Sequence, residues 1–136
     1  MADVIIRFSV YSKTEESLQL LENILKPPHE TTLLDSPIIL TNGSDSGRKH
    51  QTTAFDYRYE LKGITDIEVC NEKWLSEWSK DVDVLLKLYT EHGFFLDLNY
   101  EVTLFNNEFP SFYFQSDFTS FIGKIGIKFS LYFYVD

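Results

Sequence analysis

The sequence predicts a single α+β domain: a mostly antiparallel sheet with two longer helices and one short helix packed on one face. Three observations carry that expectation. Several stretches alternate apolar and polar residues, as strands with one wet face do. Others repeat apolar residues every three or four positions, as half-buried helices do. The two kinds are mixed without the strict β-α alternation of a doubly wound parallel sheet. With 136 residues the chain has the length of one domain, spanning 1–136.

Val4 to Tyr11 reads as the first strand. Val4, Ile6, Phe8 and Val10 share one side; Ile5, Arg7, Ser9 and Tyr11 share the other. Ser12 with Glu15 fits a capping box, in which each side chain satisfies a backbone N–H at a helix start. Leu18, Leu21, Ile24 and Leu25 follow at helical spacing, and Pro27-Pro28 stops the helix for want of amide donors.

Ile38 to Leu40 is expected to be a short strand. Residues 41–53, TNGSDSGRKHQTT, are polar, hold two glycines and lack an apolar anchor, so a mobile loop is expected there. Asn42-Gly43 is a weak hairpin signal, since strand character does not follow it.

Ala54 to Leu61 alternates again. Phe55, Tyr57, Tyr59 and Leu61 oppose Asp56, Arg58 and Glu60. Gly63 breaks it, and Ile64 to Val69 is expected to be a further short strand. Asn71 is the expected N-cap of a helix whose buried face is Trp74, Trp78, Val82, Leu85 and Tyr89, with a break foreseen at Ser79 to Asp81 and an end near Gly93. Phe94 to Phe105 is the clearest strand. Ser116 or Asp117 suits the cap of a two-turn helix with Phe118, Phe121, Ile122 and Ile125. In the last strand, Ile127, Phe129, Leu131, Phe133 and Val135 are expected inward, and Lys128, Ser130, Tyr132 and Tyr134 outward.

Charge narrows the functional classes. Twelve Lys and Arg against 21 Asp and Glu leave a net charge of −9. Such a surface repels phosphate backbones, so nucleic acid is not an expected partner, whereas basic partners are attracted. No apolar run approaches the ~18 residues of a membrane helix, so no membrane partner is expected. The start Met1-Ala2-Asp3-Val4 has no secretory character, and the single Cys70 suits a reducing, cytoplasmic setting.

The usual catalytic patterns are not apparent. The glycines are scattered and form no phosphate loop. His29, His50 and His92 lie far apart, with no metal-ligand spacing, and each reads as a solvated surface histidine. Cys70 stands before the expected helix, where a dipole can activate a thiol, yet a buried inert thiol is the simpler reading. Asp97 and Glu101 share a strand face at about 13 Å, long for an acid–base pair. No metal, cofactor or catalytic residue is therefore expected. What stands out is the outward sheet face, where Tyr11, Asp56, Glu60, Asp97, Glu101, Tyr132 and Tyr134 form the candidate partner-binding set. Tyrosine supplies contact area at low entropic cost, although ordinary cross-strand pairing on a wet sheet is the simpler alternative.

The run Asp81-Val-Asp-Val-Leu-Leu-Lys-Leu, then Gly93 and the alternating Leu96 to Leu104, then Phe118-Thr-Ser-Phe-Ile-Gly-Lys-Ile-Gly-Ile-Lys-Phe-Ser-Leu-Tyr-Phe-Tyr, resembles a small bacterial family called domain of unknown function 4279. Leu25-Lys26-Pro27 is similar to that family's Leu-Lys-Pro turn, and Trp74 and Trp78 lie near its recurrent Trp. The resemblance implies a short helix stacked on the sheet before the final strand, and no established enzyme chemistry. Some relatives are regarded as immunity proteins of toxin systems. The leading expectation is thus a non-enzymatic cytoplasmic binding protein, an immunity protein occluding the basic site of a toxin. The alternative is a small-molecule-binding or regulatory domain, and a homodimer fits either.

Overall fold

The computed structural model describes residues 1–13 and 17–136. In chain order the elements are β1 (Ala2–Ser12), α1 (Ser17–Ile24), β2 (Glu30–Thr32), β3 (Pro37–Ile39), β4 (Asp45–Lys49), β5 (Thr53–Ile64), α2 (Glu68–Trp78), a 3-10 turn (Ser79–Asp81), α3 (Val82–Thr90), β6 (Phe95–Leu104), α4 (Ser116–Lys124) and β7 (Lys128–Val135). The five-stranded sheet has the order β2-β5-β1-β6-β7, and β3-β4 form a separate two-stranded ribbon. This is the α+β fold that the sequence predicts, in one domain.

β1 is the central strand. It runs antiparallel to β5, with Phe8 opposite Tyr57, and antiparallel to β6, with Phe8 opposite Leu98. β7 is parallel to β6, since the chain returns through α4 instead of a tight turn. The even-numbered side chains of β1, from Ala2 to Val10, are buried beneath the helices, and its odd-numbered ones face away.

The core between sheet and helices is aromatic. Phe8 meets Trp74 edge-on at 5.3 Å and Trp78 at 4.7 Å, and Trp78 meets Tyr57 at 4.6 Å. Such edge-to-face pairs add about 0.5–1.5 kcal/mol each beyond the apolar area they bury. A buried polar chain crosses the same layer: the Tyr100 hydroxyl donates to Asn71 Oδ1 (2.7 Å), and Asn71 Nδ2 donates to Glu68 Oε2 (2.9 Å).

Several expectations change. Residues 41–53 are not all loop, because β4 pairs antiparallel with β3. Gly43, at φ +87, makes the turn that Asn42-Gly43 hinted at; the Ser44 amide donates to Asn42 Oδ1. Ile64 to Val69 is no separate strand. Ile64 ends β5, and α2 opens at Glu68, whose amide is taken by Asp66 Oδ1. Asn71 is accordingly inside α2 and buried, not its N-cap. The break foreseen at Ser79–Asp81 is the 3-10 turn. Leu85 and Leu88 are the buried pair of α3, and Tyr89 lies exposed. Leu21 on α1 and Leu25 just beyond its end reach the core, and Ile24 does not. Gln115 precedes α4 as its N-cap without a side-chain cap bond, so neither Ser116 nor Asp117 caps it. Phe133 and Val135 lie on the helix side of β7 but are exposed, because only Phe109 and Phe112 among the described rings pack on Phe133 and no described helix covers that end of the strand. The Ser12–Glu15 capping box lies outside the described residues, since Glu15 is not among them.

Candidate functional site

The face of the sheet turned away from the helices is built by register. Antiparallel pairing sets Asp56, Ser9 and Asp97 in one row across β5, β1 and β6; parallel pairing adds Lys128 on β7, and Glu30 on β2 adds the other end. Arg58, Arg7, Asn99 and Ser130 make the next row, and Glu60, Ile5, Glu101 and Tyr132 the one beyond. Tyr134 stands opposite Thr103 one row further. Tyr11 is at the other end, stacked on Phe95 at 5.3 Å. All seven candidate residues therefore lie on one face, spread over four strands.

Most of the charges on this face have neighbours that fix them. Arg7 Nε donates to Glu101 Oε1 at 2.7 Å, and Arg58 Nη2 to Glu60 Oε1 at 2.6 Å. The Tyr11 hydroxyl donates to Asp97 Oδ2 at 3.0 Å, and Ser9 Oγ donates to Asp56 Oδ1. Burial raises the Asp56 carboxyl above its usual value; the Ser9 bond opposes this, Glu30 adds to it and Arg7 opposes it. Burial likewise raises the Tyr11 phenol, helped by Asp97. Asp56 and Asp97 flank Ser9 from opposite strands, so their backbones are about 10 Å apart. Glu60 and Glu101 flank Ile5 in the same way. The carboxylates form a dispersed field of acceptors, not a close pair sharing one proton.

Two clefts meet at Asp56. One of about 380 Å³ is bordered by Arg7, His29, Glu30, Asp56, Tyr57 and Arg58. The other, of about 270 Å³, is bordered by Ser9, Tyr11, His50, Thr52, Asp56 and Asp97, with Thr32 and Ala54. The sequence reading missed Glu30, His29 and His50 as neighbours of this face. The signal for His50 was the Asn42-Gly43 turn, which folds β4 back and sets the His50 amide against the Ser36 carbonyl. His29 does not sit alone in solvent: its Nδ1 accepts from the Arg58 amide at 2.6 Å, and its ring meets Tyr59 edge-on.

Cys70 is fully buried in α2, and desolvation pushes its thiol up to about 12. That thiol stays protonated and inert at neutral pH. Among the described residues, no group of three His, Cys, Asp or Glu side chains is placed to hold a metal ion, and no helix is long and apolar enough to cross a membrane. No family model, curated protein or solved structure matches the chain.

Proposed function

We propose that the chain is a non-enzymatic cytoplasmic binding protein whose open sheet face receives a basic protein. The toxin-immunity role suggested by the resemblance to domain of unknown function 4279 is its most specific form. The observation that carries this reading is the row Glu30–Asp56–Ser9–Asp97, which puts three carboxylates and one hydroxyl across four hydrogen-bonded strands, with Lys128 the one cation at its β7 end. A rigid sheet holds them in place before the partner arrives, which lowers the cost of ordering on binding. Tyr11, Tyr132 and Tyr134 add contact area around them. A basic catalytic groove laid on this face would be covered and its cations engaged, and the net charge of −9 would speed the encounter.

A small-molecule ligand is the second reading, and the two clefts meeting at Asp56 favour it. The test is co-expression with the product of the adjacent gene, scoring growth and co-purification together. Rescue of a toxic neighbour with a stable complex is the expected result. Asp97→Lys with Glu101→Lys should then weaken the complex at least about tenfold, mainly by slowing association. A complex that binds the double variant equally well removes the sheet face from the mechanism. A retained ligand in the native mass spectrum, with no complex, favours the second reading.

A further inference from the structure

We infer that β7 is a dimerisation edge: two copies of the chain pair their β7 strands antiparallel about a two-fold axis at Tyr132, joining the two sheets into one. This inference is independent of the basic-partner reading.

β7 is the last strand of the sheet, eight residues long, and among the described residues it pairs with β6 alone. The other outer strand, β2, has three residues. Edge strands that stay unpaired are usually short, bulged, proline-bearing or charged along their length. β7 contains no proline and no bulge, and its one charge is Lys128 at its start. The Asp136 amide donates to the Leu104 carbonyl, so the even-numbered amides of this strand face β6. Alternation then turns the amides and carbonyls of Phe129, Leu131, Phe133 and Val135 to the free edge.

The sequence of β7 is self-complementary in one register. With Tyr132 on the axis, Phe129 faces Val135 of the second copy, and Leu131 faces Phe133. These are the residues whose backbone groups point outward, so about eight interchain backbone hydrogen bonds can form. In the same register Lys128 of each copy lies opposite Asp136 of the other. A slip of two residues either way loses that ion pairing. A slip of one residue opposes outward-facing backbone groups to inward-facing ones, which cannot bond.

The apolar surface beside the edge supports the same occupant. Val135 is 69% exposed, Phe133 46% and Phe109 66%. Phe109 and Phe112 pack on Phe133 at 6.2 and 5.5 Å, so the exposed rings are contiguous. A strand pair alone is small against the roughly 1,200 Å² of a stable interface, and these rings extend it on the helix side. Tyr132 and Tyr134 extend it on the open face.

Sedimentation equilibrium of the full chain tests the inference. The expected result is a dimer at about 100 µM protein. Val135→Pro removes one outward amide at an exposed position without touching the ladder to β6, and should yield a monomer with an unchanged circular dichroism spectrum. Lys128→Asp and Asp136→Lys should each weaken the dimer about tenfold, and the two together should restore it. A monomeric wild-type chain overturns the inference. So does a dimer indifferent to Val135→Pro, or a charge swap that fails to restore association. None of these results bears on whether the open face binds a basic partner, because the monomer keeps that face intact.

Discussion

Burial raises the Asp56 carboxyl above its ordinary 3.8, and the Ser9 hydroxyl pulls it part of the way back. The sign of the consequence follows from linkage. A carboxyl whose folded pKa is raised holds its proton more tightly in the folded chain than in the unfolded one. Folding is therefore penalised as pH rises through the window above 3.8, and the penalty fades as pH falls back through it. Asp56→Asn keeps an acceptor for Ser9 and removes the charge. At neutral pH the variant should be at least as stable as the native chain, and the difference should vanish in acid. Urea unfolding across the acid range checks this, and a marked loss at neutral pH would mean that the charge strengthens Asp56's contacts with Ser9 and Arg7 by more than its burial costs. At the same scale, Tyr57 and Tyr100 also have raised phenol pKa values, first through desolvation, and both hydroxyls donate within the core: Tyr57 to the Lys26 carbonyl and Tyr100 to Asn71. The polar chain through Glu68, Asn71 and Tyr100 was beyond sequence reasoning. Asn before an apolar run is a sound N-cap signal, and only the packing of α2 on β6 shows that this Asn is a core residue.

At the element scale, the turn between α4 and β7 depends on Gly126. Its φ is +69, and a Cβ placed there would lie 2.5 Å from the Tyr89 ring at the end of α3. Gly126→Ala should cost about 1–3 kcal/mol, from backbone strain and from displacing that ring. Tyr89 is half-exposed and can swing aside, so the cost should be smaller in a Tyr89→Ala background. Thermal melts of the four proteins in the cycle measure the coupling. Equal costs in both backgrounds assign the penalty to the backbone alone, and no cost at all refutes the contact. Which elements were legible follows from how they are buried. β1, β5 and β6 have one buried and one open face, and their alternation reads directly from the sequence. β4 is mostly exposed, so Asp45-Ser46-Gly47-Arg48-Lys49 carries no alternation and looks like loop; turn bonds and pairing with β3 hold it. Ile64 to Val69 failed for another reason: a short stretch with three apolar residues among three polar ones fits a strand or a helix start equally, and the Asp66 side chain accepting from the Glu68 amide goes with the helix start. On β7, alternation gives the side of Phe133 and Val135 correctly but says nothing of whether any element covers them.

At the scale of the whole molecule, nine excess negative charges repel one another throughout the fold. The open-face row of carboxylates was legible only as a set of like-facing residues. Which of them become neighbours depends on strand order, and order is a long-range property that no local pattern encodes. Arg7, Arg58 and Lys128 stand among those carboxylates, so the face carries only a small part of the net charge of −9. Added salt screens self-repulsion over a Debye length of about 8–10 Å at ordinary ionic strength. It also screens the half-buried Arg7–Glu101 and the exposed Arg58–Glu60, but two surface pairs of that kind contribute little. Repulsion is therefore the larger effect, and the melting temperature should rise as salt is added from low to physiological ionic strength. Replacing Asp97 and Glu101 with lysine changes the net charge from −9 to −5 and removes two carboxylates from the centre of the field. In that variant the rise with salt should be distinctly smaller. Paired melts of the two proteins over a salt series test this without any partner. A native chain that is destabilised by salt would mean that its ion pairs, and not its excess charge, dominate its electrostatics, and the open face would then be a self-satisfied surface instead of one poised for a basic protein.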